Sequence, residues 1–299
     1  MRVTQNITAQ NSIYNLQQGR AKLDKLQETV ALGSNINRPS DDPIGSSLLL
    51  SVGDQIKAGD YYASNITKAN TFLQVTSTAL QGMADNMRLA KQLVATISNG
   101  TNDPLIKANV VSQLTTLKQQ VVDMGNTKMG NQYLFGGANG QKPFDAATAA
   151  YSGDETVLQI EISQSATQQI NLPGNQLLTG DGTTHPYGTT NILQTFDNLI
   201  TAVNANNVTN IKAEEQNLEN GADQITKAHT DVSSWVTRLD STSKMNTNSK
   251  NTMQTIVGNM QNVDYAKLAV ELQQQQTAFQ ASLSATAKVT QLSLLDFMK

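Results

Sequence analysis

Two histidines, His185 and His229, and the adjacent carboxylates Asp41 and Asp42 are candidates for acid–base or metal chemistry in this chain. A general base needs an orienting partner, and a metal needs several converging ligands. His185 lies in a Gly/Thr/Pro-rich stretch and His229 inside a heptad pattern, and neither has a sequence neighbour of ligand or triad type. HExxH, a phosphate-binding loop and GxGxxG after a strand are all absent. Pro39, Ser40, Asp41, Asp42 and Pro43 form a helix-cap loop, in which the side chains offer acceptors to free helix amides and Pro43 suits the first helical position. These residues therefore point to capping rather than catalysis. The expectation is a protein that is not an enzyme and has no cofactor or metal. Cysteine is absent too, which leaves no thiolate, disulfide or Cys-based metal site. Two readings of that absence stay open: chance, or selection for a chain that travels from a reducing to an oxidising compartment.

The elements that would have to position any such group are helices. Ile66, Ala69, Leu73, Thr76, Leu80, Met83, Met87, Ala90, Val94 and Ile97 alternate steps of three and four without a break, which is a coiled-coil seam. A helix from Pro43 to Asn99-Gly100 would be roughly 85 Å long at about 1.5 Å per residue. A compact globule of this chain length has a radius of gyration of only about 19 Å, so an elongated molecule is expected. Asp103-Pro104 opens a second helix, in which Val110, Leu114, Leu117, Val121 and Met124 keep the rhythm up to Gly130.

At Asn131 the pattern changes. Tyr133, Leu134, Phe135, Gly136 and Gly137 make a turn into a region broken by Gly and Pro, where helix is not expected. There Leu158, Ile160 and Ile162 alternate with Gln159 and Glu161, and Ile170 and Leu172 precede Pro173-Gly174, which predicts a small antiparallel β unit with one wet face. Helix resumes at Asn191 with Leu193, Phe196, Ile200 and Val203, then Ile211, Leu218, Ile225, Val232 and Leu239 at seven-residue steps. Met253, Ile256, Met260 and Val263 extend that seam.

Each end of the chain carries a stripe with no core of its own nearby. Ile13, Leu16, Leu23, Leu26 and Val30 mark the first, and Leu268, Leu272, Phe279, Leu283, Val289, Leu292 and Leu295 the second. Both stripes need a partner, so the ends are expected to pair with each other and to supply contacts between subunits of an assembly. The fold class is mainly α: an elongated antiparallel coiled-coil or helical bundle with a small inserted β domain and paired terminal helices. Its expected domains are an N-terminal helix at 1–44, the two halves of the bundle at 45–136 and 189–263, the inserted β domain at 137–188 and a C-terminal helix at 264–299.

A net charge of -3 with no Lys/Arg cluster leaves no footprint for nucleic acid or an anionic membrane. The opening MRVTQNITAQN has no apolar core of a cleaved signal peptide. No window approaches the roughly 20 apolar residues of a bilayer span, so no membrane insertion is expected.

Three segments together resemble the flagellin family of bacterial axial proteins: INRPSDDPIG at 36–45, NQYLFGG at 131–137, and LQQQQTAFQASLSATAKVTQLSLLDFM from Leu272. The resemblance covers nearly the whole chain. Pro39 and Pro43 flank the Asp pair where filament flagellins have an Ala-rich stretch. With the short β insertion and the QLSLLDFM ending, they look more like the hook-filament junction branch of the family. A short filament flagellin, or a secreted adhesin-like module acting through the β domain, are the alternative readings. The resemblance implies a secreted structural protein of the extracellular flagellum, exported by the flagellar type III apparatus without a cleaved signal peptide. It implies a homo-oligomeric ring between a hook-side junction protein and filament flagellin, and a cytoplasmic export chaperone that holds the C-terminal helix.

Overall fold

The computed structural model describes residues 4–98, 103–146 and 148–297. The elements follow in the order α1 (Thr4–Leu32), α2 (Pro43–Ser98), α3 (Pro104–Gly125), β1 (Lys128–Met129), β2 (Gln132–Tyr133), β3 (Gln159–Ser163), β4 (Ala166–Gln169), a π-helical turn (Asn175–Thr179), α4 (Ile192–Asn204), α5 (Val208–Gln261) and α6 (Tyr265–Phe297). The chain divides into two compact units. One is Ala58–Asn248, and the other joins Met1–Lys57 to Ser249–Lys299.

In the Ala58–Asn248 unit the heptad seams are the core. Every seam position of α2 from Ile66 to Ile97 is buried, as are Ile211, Leu218, Ile225, Val232 and Leu239 of α5. The one polar seam residue, Thr76, donates its hydroxyl to the Phe72 carbonyl at 2.9 Å, so its burial strands no donor. Other helical threonines do likewise: the hydroxyls of Thr67, Thr71, Thr115, Thr226 and Thr237 each donate to the carbonyl four residues back. Lys118 of α3 is nearly buried and is neutralised by Asp197 of α4, with its ammonium 2.7 and 2.8 Å from the two carboxylate oxygens. The start of α3 follows the predicted cap, the Asp103 side chain accepting from the Leu105 amide, and α4 is capped in the same way by Asn191, whose side chain accepts from the Gln194 amide, each at 2.9 Å.

Two expectations fail in this unit, each for a local reason. The third helix stops at Gly125, not Gly130. Asn126 spends its side chain on Phe144 instead, donating Nδ2–H to the Phe144 carbonyl and accepting the Phe144 amide on Oδ1, both at 2.9 Å. The chain then turns straight into the antiparallel β1–β2 hairpin, and Gly130 supplies the turn's left-handed residue at φ +63. The second failure is the π-helical turn, in a region where helix was not expected. Its five residues are all buried, and Gly180 at φ +64 ends it. Gln224 of α5, itself buried, donates Nε2–H to the Leu177 carbonyl at 2.6 Å and accepts the Thr190 amide at 3.2 Å. A single turn has no periodicity to read, so these residues carry no helical signal in the sequence.

The predicted β unit is present. Strands β3 and β4 pair antiparallel, with Ile162 buried, Ile160 half-buried, and Gln159 and Glu161 exposed. Its apolar residues do not form a core of their own. Phe135, Phe144, Ile162, Leu172, Leu177 and Leu178 join the same hydrophobic cluster as the helical seams.

Candidate assembly surface

The second unit is built on α1 and α6, which pack antiparallel. Gly19 of α1 lies against Phe279, where an added Cβ would meet ring atom Cδ2 at 3.4 Å, and Gly33, just past α1, lies against Tyr265. Gln275 donates its side-chain amide to the Gly19 carbonyl at 3.1 Å. A mid-helix glycine costs about 1 kcal/mol relative to alanine. At Gly19 the Phe279 ring and the Gln275 amide come close to the bare backbone, and a Cβ there would meet both at ordinary contact distance. Gly33 is the C-terminal cap residue of α1: it adopts φ +65 and returns its amide to the Thr29 carbonyl at 2.9 Å.

The structure brings most of the two predicted stripes together within one chain. Leu16, Leu23, Leu26 and Val30 on α1 are half-buried, as are Leu272 and Phe279 on α6, and Leu268 is buried. Ile13 and Leu283 stay about half exposed, at 52% and 47%. Val289, Leu292 and Leu295 fall on α6, with side chains outside the described residues. The seam is also incomplete as a core. Among the described residues of this unit, Val52 and Leu268 are its only buried hydrophobic residues, whereas Ile7, Tyr14, Ile44, Leu50, Tyr265 and Val270 stand exposed beside Ile13 and Leu283. Residue types that normally lie inside a fold are here arrayed outside it.

The cap loop holds the start of α2 to α1. Asp42 is the N-cap: its Oδ1 accepts the Gly45 amide at 2.9 Å, and Pro43 is the first helical residue. Asp41 does a different job. Its Oδ1 accepts from the Lys25 ammonium at 2.7 Å, and its Oδ2 accepts the Arg38 and Asn37 amides at 3.1 and 3.3 Å. Arg38 in turn pairs with Glu28 at 2.9 Å. Pro39 and Ser40 are exposed. At the other edge of the loop, the Asn35 amide donates to the Gln261 carbonyl and the Asn35 side chain to the Asn262 carbonyl, both at 2.9 Å. Lys25, Glu28, Asn35 and Arg38 went unread in the sequence, because partners 10 to 16 residues apart, or on opposite ends of the chain, leave no local pattern.

The Lys25 hydrogen bond, helped by the two loop amides, holds the Asp41 carboxyl below its ordinary value. A depressed folded-state pKa adds stability above the ordinary carboxylate range, and this stability is lost as pH falls through the folded value. Acidification should therefore release the loop from α1, seen as shifts of the Asn37 and Arg38 amide resonances. Asp41→Asn should lack that acid transition, whereas an unchanged transition in this variant would assign it to another group.

The turn at 133–137 is structural rather than exposed. Leu134, Phe135, Gly136 and Gly137 are buried, and Tyr133 is half-buried under the Lys128 ammonium, 4.4 Å from the ring centroid. The Phe135 carbonyl accepts the Gly174 amide at 2.8 Å and the Tyr151 hydroxyl at 2.9 Å. Burial pushes the Tyr151 hydroxyl up to about 12, so it remains a neutral donor throughout the physiological range.

Neither histidine belongs to a reactive constellation. Nε2 of His229 lies 3.0 Å from the Ser77 hydroxyl, a strut between α5 and α2. Among the described residues no group of three or more His, Cys, Asp or Glu could hold a metal. A cavity of about 320 Å³ between α2 and α3 is lined by Leu89, Leu93, Leu117, Gln92, Thr96 and Thr116, none of which titrates. No described helix is long and apolar enough to cross a membrane.

Comparisons with known proteins agree with this arrangement of ends and middle. The family model for the bacterial flagellin N-terminal helical region matches residues 3–140, and the one for the C-terminal helical region matches residues 215–298. Flagellar hook-associated protein 3 of Salmonella typhimurium is 23% identical over 312 aligned residues, covering 98% of this chain and 98% of that protein. Among solved structures, Bacillus cereus FlgL superposes with a TM-score of 0.60 at 18% identity, covering 70% of this chain and 99% of that one. The flagellar junction protein FlgL from Legionella pneumophila gives a TM-score of 0.60 at 13% identity, covering 72% of this chain and 100% of that one.

Proposed function

Since the chain belongs to the bacterial flagellin family, with both of its end regions matching that family's helical regions, we propose that it is a structural subunit of the flagellum that joins the hook side to the filament. The observation that carries this reading is the α1–α6 pair, which joins the two ends of the chain and still leaves Ile7, Ile13, Tyr14, Val270 and Leu283 in water. Burying apolar surface is worth about 25 cal/mol per Å², so a few hundred Å² covered by neighbouring copies amounts to several kcal/mol per subunit. The correspondence with hook-associated protein 3 runs the full length of both chains, which favours a junction subunit over a filament flagellin.

In this reading the subunits close into a ring between a hook-side junction protein and filament flagellin. The exposed stripe of α6 is held by an export chaperone until secretion through the flagellar type III apparatus. The work is mechanical, and no reaction is catalysed. Deleting the gene is the test: hooks should form normally, filaments should be shed into the medium, and electron microscopy should find bare hooks on the cells. Filaments that stay attached at parental length would overturn the assignment.

A further inference from the structure

One loop carries a chemistry that the assembly reading does not use. We propose that Asn139-Gly140 is a self-modification site, at which the Gly140 backbone nitrogen attacks the Asn139 side-chain amide and converts it to aspartate or isoaspartate. In the first step the Gly140 N–Cγ bond forms and the Cγ–Nδ2 bond breaks. Ammonia leaves with the proton given up by Gly140, and a succinimide remains. Water then opens either imide carbonyl, and nothing is oxidised or reduced.

The local geometry favours that step. Gly140 is exposed in irregular chain, and a Cβ placed on it would meet nothing within 4 Å, so the peptide has room to rotate towards Cγ. Among the described residues no hydrogen bond engages the Gly140 amide. The Gln141 amide donates to Asn139 Oδ1 at 3.1 Å, and negative charge collects on that oxygen in the tetrahedral intermediate. The leaving amide is held only by a bond of 3.3 Å from Nδ2 to the Ser152 carbonyl. Another Asn-Gly pair in the chain makes the contrast. Asn220-Gly221 lies within α5, where Gly221 is buried and a Cβ on it would meet Ile192 Cγ1 at 2.8 Å and Met87 Cε at 3.1 Å. Its backbone amide is committed to the helix and cannot swing.

The consequence is a loosened loop. A carboxylate in place of the Asn139 amide loses the donor to Ser152 and turns an anionic oxygen towards that carbonyl. Asp154, which accepts the Ala138 amide at 2.9 Å, already places a negative charge alongside.

Tryptic mass spectrometry of the full native chain, aged at mildly alkaline pH, tests the site. Because Lys142 precedes Pro143, where trypsin does not cut, the peptide from Met129 to Lys212 should gain the mass difference of NH2 replaced by OH, with fragment ions placing it at Asn139 as aspartate and isoaspartate forms. The Asn220 peptide should stay intact in the native protein and convert once the chain is unfolded in urea. Asn99-Gly100 lies outside the described residues and reports on a separate peptide. Gly140→Ala, which meets no obstacle, should slow conversion at Asn139 about tenfold or more, the equivalent of about 1.4 kcal/mol of barrier. Native protein that converts at Asn139 no faster than at Asn220, while the unfolded chain converts at both, would overturn the proposal.

Discussion

Phe279→Asp abolishes incorporation into the flagellum while the Ala58–Asn248 unit melts as in the parent protein: that is the expected outcome of placing a charge in the α1–α6 seam against Gly19. Removing a fully buried phenylalanine costs about 3–5 kcal/mol, and the half-buried Phe279 accounts for roughly half of that. Desolvating a carboxylate beside the Gly19 backbone adds about 1–3 kcal/mol. A total of about 2.5–5.5 kcal/mol is roughly a hundredfold or more in the closing of the α1–α6 pair. Phe279→Leu keeps the apolar contact and should retain most incorporation. Counting the protein at filament bases by immunoelectron microscopy, in a strain lacking the native copy, separates the two variants. A Phe279→Asp chain that incorporates as well as the parent would remove the pair from the assembly mechanism.

The second large effect is expected at Phe144→Ala. This ring is 1% exposed, and its centroid lies 5.3 Å from that of Tyr151. Its edge faces Gly125, where an added Cβ would meet Cδ2 at 2.7 Å. Truncation there should cost about 3–5 kcal/mol, and at 2–4 °C per kcal/mol for a unit of this size the melting temperature should fall by roughly 10 °C. The form of the transition carries more information than its midpoint. The insertion's apolar residues belong to the helical cluster, so calorimetry should show one cooperative transition moving as a whole. A separate low-temperature transition would mean that the insertion folds on a core of its own, and deletion of 138–188 would then be harmless. A shared core instead makes that deletion expose the helical seams.

How much of this was legible depended on whether a residue's role repeats along the chain. The α2 seam could be read position by position because ten positions spaced three and four apart, nine of them apolar, leave only one face for the core, and each of those positions is buried. The cap at Asp103 was legible because a cap bonds within its own first turn. Gly130 was misread because a glycine ends a helix and turns a hairpin by the same left-handed φ. Asp41 and Asp42 look alike in sequence and divide their work in space, one reaching back to Lys25 and the other capping α2. The terminal stripes announced that they needed a partner without naming it. Leu16 and Leu272 enter a seam within the chain, while Ile13 and Leu283 stay about half exposed, and nothing in a heptad distinguishes the two.

The inward-turned threonine hydroxyls change what a polar composition means here. A mean hydropathy of -0.36 suggests surfaces that cling to water. Yet Thr277 and Thr286 of α6, like the threonines of the bundle, lend their oxygen-bound protons to their own helix. Such a side chain carries its solvation with it and presents its methyl group outward. Helices of this kind give up little hydration when neighbouring copies crowd against them, so the proposed assembly needs few greasy residues to hold its subunits together.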